Sequence, residues 1–161
     1  MPIVAEDLGL ITPDVEKLRD SFGFPGMKIL QFAFDSSENN IYLPHTFDKN
    51  CVVYTGTHDN NTTLGWYFEA SKQDVHKSIS YMDCEGKSFV RSMIRQALSS
   101  VAHTAIIPMQ DVLELGAHAR MNIPGTIANN WQWKMVSGQM DECLAEDLAT
   151  MNALYGRGLS F

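Results

Sequence analysis

Met27–Phe34 (MKILQFAF) is an almost unbroken apolar run, and Cys51–Thr55 (CVVYT) is a second. A strand with one wet face alternates, whereas a strand covered on both faces has no reason to, so such runs predict parallel strands sandwiched by helices. The surrounding pattern agrees. Residues 2–6 read as a short buried strand. Thr12 then stands as an N-cap with Pro13 at the first helical position, Asp14 follows in the first turn, and Gly23 stops the helix. Val15, Leu18 and Phe22 share one face of that helix, and Pro25-Gly26 reads as a turn. A polar loop over 35–50 precedes CVVYT. Helical patterns follow over 62–71, 73–82 and 87–101, the last with Phe89, Ile94, Ala97, Leu98 and Val101 at helical spacing. Residues 103–109 are a fourth strand candidate, 110–115 a short helix, 117–133 mostly loop, and 141–155 a terminal helix. This order is βαβ grammar and implies an α/β fold with a parallel sheet.

Four strands cannot close a barrel but could form half of one. At 161 residues the chain is short of the roughly 250 of a complete eight-stranded α/β barrel. Residues 1–161 are expected to be one domain, or part of one. Met1-Pro2 runs straight into a buried-type strand with no capping element, as expected of a piece cut from a larger protein.

Two of the strands end on acids, in AEDLG (Ala5–Gly9) and TGTHDNN (Thr55–Asn61). An α/β scaffold presents its reactive groups at C-terminal strand ends. Two carboxylates there, Glu6 and Asp59, suggest acid/base work on a sugar bond. The net charge of -7 argues against nucleic acid or an anionic membrane as the main partner, since both recruit Lys and Arg. No apolar run reaches the ~18–20 residues of a membrane span. Cys51, Cys84 and Cys143 fall in no metal or redox spacing, which predicts a reduced, cytoplasmic chain. Gly86-Lys87-Ser88 is no phosphate loop, because position 81 is Tyr where that motif needs Gly.

Six ordered motifs carry a resemblance: AEDLG (5–9), FPGMKILQFAF (24–34), YLPHTF (42–47), VVYTGTHDNNTTLGWY (52–67), PMQDVLELG (108–116) and ARMNIPG (119–125). Together they resemble the 4-α-glucanotransferases, the amylomaltases of glycoside hydrolase family 77. The resemblance implies a (β/α)8 barrel of which this chain supplies strands five to eight. It implies maltodextrins and amylose as substrates, transfer through a covalent glycosyl-enzyme intermediate, and no metal or organic cofactor. It makes Glu6 the general acid/base, protonated near neutral pH through burial. Asp59 becomes the carboxylate that steadies the oxocarbenium-like transition state, with His58 as a hydrogen-bonding neighbour. Asp7 should face away from Glu6, because strand neighbours point to opposite sides. The family's nucleophilic Asp sits in an Arg-x-Asp-His-Phe-Arg setting that does not occur here. Asp35, after MKILQFAF, has turn chemistry as its expected role. The isolated chain is therefore expected to be inactive.

Further residues have two readings each. His45 can hydrogen-bond sugar or close its loop. Gln110 and Asp111 can face a ligand, or Asp111 can open a helix. Asn130 and Trp131 match the family's late Asn-Trp, while Asn129 stands where Gly is common and Lys134 where Arg is common. Trp66 and Tyr67 suit core packing or sugar stacking. His58-Asp59 could suggest a metal pair, but neighbours on an extended chain diverge and no ligand spacing accompanies them. A non-catalytic alternative is a glucan-binding or self-assembling half-barrel, associating through exposed sheet edges.

Overall fold

The computed structural model describes residues 3–35 and 40–158. Three parallel strands form one sheet in the order β1 (Gly26–Ile29), β2 (Cys51–Tyr54), β3 (Thr104–Ile106). Gly26 pairs with Cys51, and Val52 with Thr104. The α/β class and parallel direction are as the sequence predicts; the strand count is not. Of the expected 2–6 strand, residue 2 lies outside the described residues, and 3–6 are extended but not a strand. They are nevertheless fastened beside β1, through Ala5 N–H to the Pro25 carbonyl (2.9 Å) and Met27 N–H to Asp7 Oδ1 (2.7 Å). A carboxylate occupies the place of a main-chain carbonyl at the second rung, so the ladder never forms. Gly26 opens β1 rather than closing a turn. MKILQFAF stays extended only to Ile29 and then winds into a 3-10 turn, Leu30–Phe32.

Among the described residues, six α-helices accompany the sheet: α1 (Pro13–Ser21), α2 (Thr63–Glu69), α3 (Lys72–Met82), α4 (Phe89–Ser99), α5 (Met109–Val112) and α6 (Glu142–Leu154). Their starts follow side-chain chemistry. Thr62, Ser71 and Asp141 each accept a backbone N–H from the first turn of α2, α3 and α6. Thr12 occupies the N-cap of α1 without making that bond. Gly86–Ser88 is a 3-10 turn leading into α4.

The core lies between β2 and α4. Val53 and Cys51 from the strand meet Phe89, Met93 and Ala97 from the helix, and Phe34 and Leu30 close the layer. Trp66 stacks on Phe89 with ring centroids 5.8 Å apart, and Tyr67 lies 4.7 Å from the same ring. Both aromatics thus pack in the core, and Trp66 also borders the open space beyond the strand ends. A second cluster, Val90, Ile94, Leu98 and Met151, fixes α6 to the outer face of α4. The Arg91–Asp147 ion pair adds to that junction.

α1 contrasts with all of this. No residue of it is buried, and Val15, Leu18 and Phe22 are 45%, 60% and 65% exposed. Its apolar face exists as predicted and is largely open, with Phe22 stacked on Phe24 at 5.5 Å.

Candidate active site

The C-terminal ends of the three strands open into one cleft of about 1210 Å³. Gln31 and Phe32 enter from beyond β1, Tyr54 from the end of β2 and Gly56–Asn60 from beyond it, Ile106 from the end of β3 and Pro108 from beyond it. The 3–11 segment supplies the opposite lip through Val4, Glu6, Leu8 and Gly9. Glu6 and Asp59, 53 residues apart in sequence, thus border the same opening.

Asp7 and Glu6 do diverge. Asp7 turns inward to the Arg19 guanidinium and the Met27 amide. A Cβ on Gly26 would meet Asp7 Oδ2 at 2.2 Å, so Gly26 is needed for this close approach. Glu6, directed the other way, is exposed. The burial expected to keep it protonated is not provided by the described residues. Glu6 is still electrically coupled to the site: burial first, and the Glu6 charge second, raise the Tyr54 phenol above its ordinary value.

Asp59 is held more firmly. Asn60 N–H donates to Thr57 O (3.2 Å), closing a β-turn over 57–60, and Asn60 Oδ1 accepts from Thr57 N–H (2.8 Å) and Thr57 Oγ1 (2.9 Å), which pins it. In that turn the expected divergence of His58 and Asp59 fails. His58 Nε2 lies 3.3 Å from Asp59 Oδ1, because the chain there is not extended. Asn122 Nδ2 donates to the same Oδ1 at 2.6 Å, and Arg120 Nη2 donates to the Asp59 main-chain carbonyl at 2.7 Å.

The other predicted residues have diverse places. Asp111 is 1% exposed and faces inward. Its Oδ2 accepts from the Thr55 and Thr63 hydroxyls and its Oδ1 from Thr63 N–H. Burial raises its pKa, and those three donors pull it back. Asp111 thereby ties the end of β2 to the start of α2, and with Gln110 it lies at the floor of a smaller opening beside His58 and Trp131. Gln110 is also buried, donating to the Ala119 carbonyl at 3.2 Å. His45 lies outside the cleft, with Nδ1 3.0 Å from the Tyr81 hydroxyl and its ring against that phenol, so loop closure is the reading the geometry supports.

Asn130 staples the late loop, accepting from Ile123 N–H and donating to Thr126. Trp131 is 59% exposed and sits 5.2 Å from the His58 ring. Asn129 and Trp131 both have φ 61. Asn tolerates the left-handed region where Gly is at home; Trp seldom enters it. Asp35 lines the cleft and accepts from Asn40 Nδ2 at 2.7 Å, while Ser36-Ser37 of its expected turn lie outside the described residues. Residue-by-residue reading passed over Arg120 and Asn122, although both lie in the ARMNIPG motif. Gln31 was missed because it sits inside an apolar run. It is 5% exposed, lines the cleft, and donates to the Asn61 carbonyl at 2.8 Å.

Carboxylates gathered at the C-terminal edge of a parallel sheet are the ground plan of α/β enzymes that work at strand ends. The chain belongs to the 4-alpha-glucanotransferase family, glycoside hydrolase family 77, whose model matches residues 1–139. It is 54% identical over 159 residues to the 4-alpha-glucanotransferase of Synechocystis sp., covering 98% of this chain and 32% of that protein. The Thermus thermophilus 4-alpha-glucanotransferase is 47% identical over 148 residues, covering 87% of this chain and 30% of the relative. Amylomaltase from Streptococcus agalactiae in complex with acarbose superposes with a TM-score of 0.94 at 36% identity, covering 99% of this chain and 32% of the other. The chain therefore spans about a third of the length of the relatives it matches, rather than the expected half.

Proposed function

We propose that this chain is the acid/base-bearing third of a retaining 4-α-glucanotransferase, contributing the closing strands of its (β/α)8 barrel. The enzyme cuts an α-1,4 bond of a maltodextrin or amylose, holds the glycosyl part on an Asp, and passes it to another glucan's 4-hydroxyl. Glu6 protonates the leaving oxygen and then deprotonates the incoming hydroxyl. Asp59 steadies positive charge at the reacting carbon, with His58 beside it. Trp131 and His58 form the aromatic edge against which a pyranose ring rests. The single observation that supports this reading is the shared cleft of Glu6 and Asp59, in a chain of this family.

Two parts of the reaction lie beyond these residues. The nucleophile must stand about 5–5.5 Å from the acid/base, and the family's Arg-x-Asp-His-Phe-Arg segment is absent from the sequence. Glu6 also needs a wall that shields it from water, because a general acid works in a positioned, enclosed site. The isolated chain is therefore inactive. Transfer prevails over hydrolysis where an acceptor sugar displaces water from the site. Three unpaired thiols, two of them with pKa raised by burial, favour a reducing compartment such as the cytoplasm.

The test is incubation with maltotriose. The chain alone gives neither longer dextrins nor glucose; the protein extended upstream through the nucleophile segment gives both, and Glu6→Gln in it gives neither. Transfer by the chain alone would overturn the inactivity, and no transfer by the extended protein would overturn the function. The exposed apolar face of α1 favours a second reading, a self-assembling half-barrel. A size-exclusion profile that stays monomeric across concentration removes it.

A further inference from the structure

The late loop reaches the His58-Asp59 turn through three hydrogen bonds from two residues, and a fourth ties those two residues to each other. Arg120 bridges two carbonyls, with Nη2 on Asp59 O (2.7 Å) and Nε on Asn122 O (2.8 Å). Asn122 uses both its amides. Its main-chain N–H donates to His58 O (3.1 Å), and its side-chain Nδ2 donates to Asp59 Oδ1 (2.6 Å). Asn122 is absent from the residues that line the cleft, whereas His58 and Asp59 are among them. Arg120 borders smaller openings beside the turn, one of them together with Asp59.

We infer that Asn122 is a positioning residue for Asp59. A carboxylate rotates freely about its last torsion unless something distinguishes its two oxygens. Asn122 and His58 both engage Oδ1, and among the described residues no donor is recorded for Oδ2. One oxygen is thus anchored, and the other is left for the sugar. A neutral amide suits this task. An Arg or Lys in its place would bring a full positive charge beside the carboxylate and weaken its attraction for a positive transition state, whereas Asn fixes direction with little change in charge. Arg120 places its charge on main-chain carbonyls instead. It fixes the distance between loop and turn, so that the Asn122 amide arrives in register.

This inference rests on the reading of Asp59 given above, and its test has two arms. In the 161-residue chain, the Asn122 side-chain amide is observed by NMR. One Nδ2 proton should be shifted downfield and slowed in exchange in the native sequence, and both should return to random-coil behaviour in Asp59→Ala. An unshifted pair in the native sequence overturns the inference, whatever the enzyme does. In the second arm, the chain replaces the matching third of the Synechocystis glucanotransferase, and maltotriose disproportionation is followed. Asn122→Ala should lower kcat by about 10- to 100-fold, the scale of loss from a small misplacement at a reacting centre, with KM within about twofold. Asn122→Gln, which keeps the donor, should recover part of that loss. A raised KM with unchanged kcat would make Asn122 a sugar ligand and overturn the positioning role. Inactivity of the hybrid carrying the native segment would count against the proposed function and leave the NMR arm to decide the inference.

Discussion

The two lips of the cleft are built differently. The Asp59 lip is fastened at several levels: the β-turn of Thr57–Asn60, the Arg120 and Asn122 bonds from the late loop, and the Asp111 brace at the end of β2. The Glu6 lip is a strandless segment joined to β1 by one main-chain bond and by Asp7, and the helix after it buries none of its residues. The difference teaches which half of the chemistry this chain prepares unaided. On the proposed reading, the Asp59 carboxylate has its surroundings in place, whereas Glu6 stays exposed among the described residues.

The largest effect should come from removing the brace. Asp111→Ala leaves two hydroxyls and a main-chain N–H without an acceptor in a dry site, at about 1–3 kcal/mol for each unsatisfied group. Urea denaturation should show a loss of about 3 kcal/mol or more. If the loss is under about 1 kcal/mol, the Asp59 lip is not held at the end of β2 and the contrast weakens. The same residue gives a pH signature. Its folded pKa lies above the ordinary 3.8, so its contribution is fully present below 3.8 and is lost as pH rises through the folded value. The stability of the native chain relative to Asp111→Asn should therefore increase on acidification. A difference independent of pH would contradict the raised value.

Next comes Gly26→Ala. The added methyl would overlap the Asp7 carboxylate, and overpacking of this kind costs about 1–3 kcal/mol. The cost should fall on the Glu6 lip. Hydrogen exchange at the Ala5 and Met27 amides should speed up, while the Val53 amide of β2 remains protected. Acceleration at all three would mean that the lips open as one unit.

The smallest effect is expected on α1. Leu18→Ser removes an apolar side chain that is already 60% exposed, so stability should change by no more than about 0.5 kcal/mol. A loss of about 2 kcal/mol would show that this face is covered in solution, and its dependence on protein concentration would identify a second copy as the cover.

Much of this molecule follows from local pattern. Apolar runs locate β1 and β2 because a strand buried on both faces has nowhere to put polar groups. Pro13 and Gly23 mark the ends of α1 because the unpaired amides and carbonyls there need local chemistry, whereas the Ser71 and Asp141 caps emerged only from the structure. The paired acids and the six motifs named the family and brought Glu6 and Asp59 forward together. What the sequence could not reveal depends on contacts between distant residues. Asn122 meets Asp59 across 63 positions and Asp111 meets Thr55 across 56, so neither partnership leaves a periodic trace. Local spacing identifies α1 as amphipathic, but only the assembled structure reveals whether anything covers it. The same holds for the two acids. Sequence supplies the carboxyl groups, while tertiary contacts set which oxygen is anchored, which group is dry, and which remains open to water.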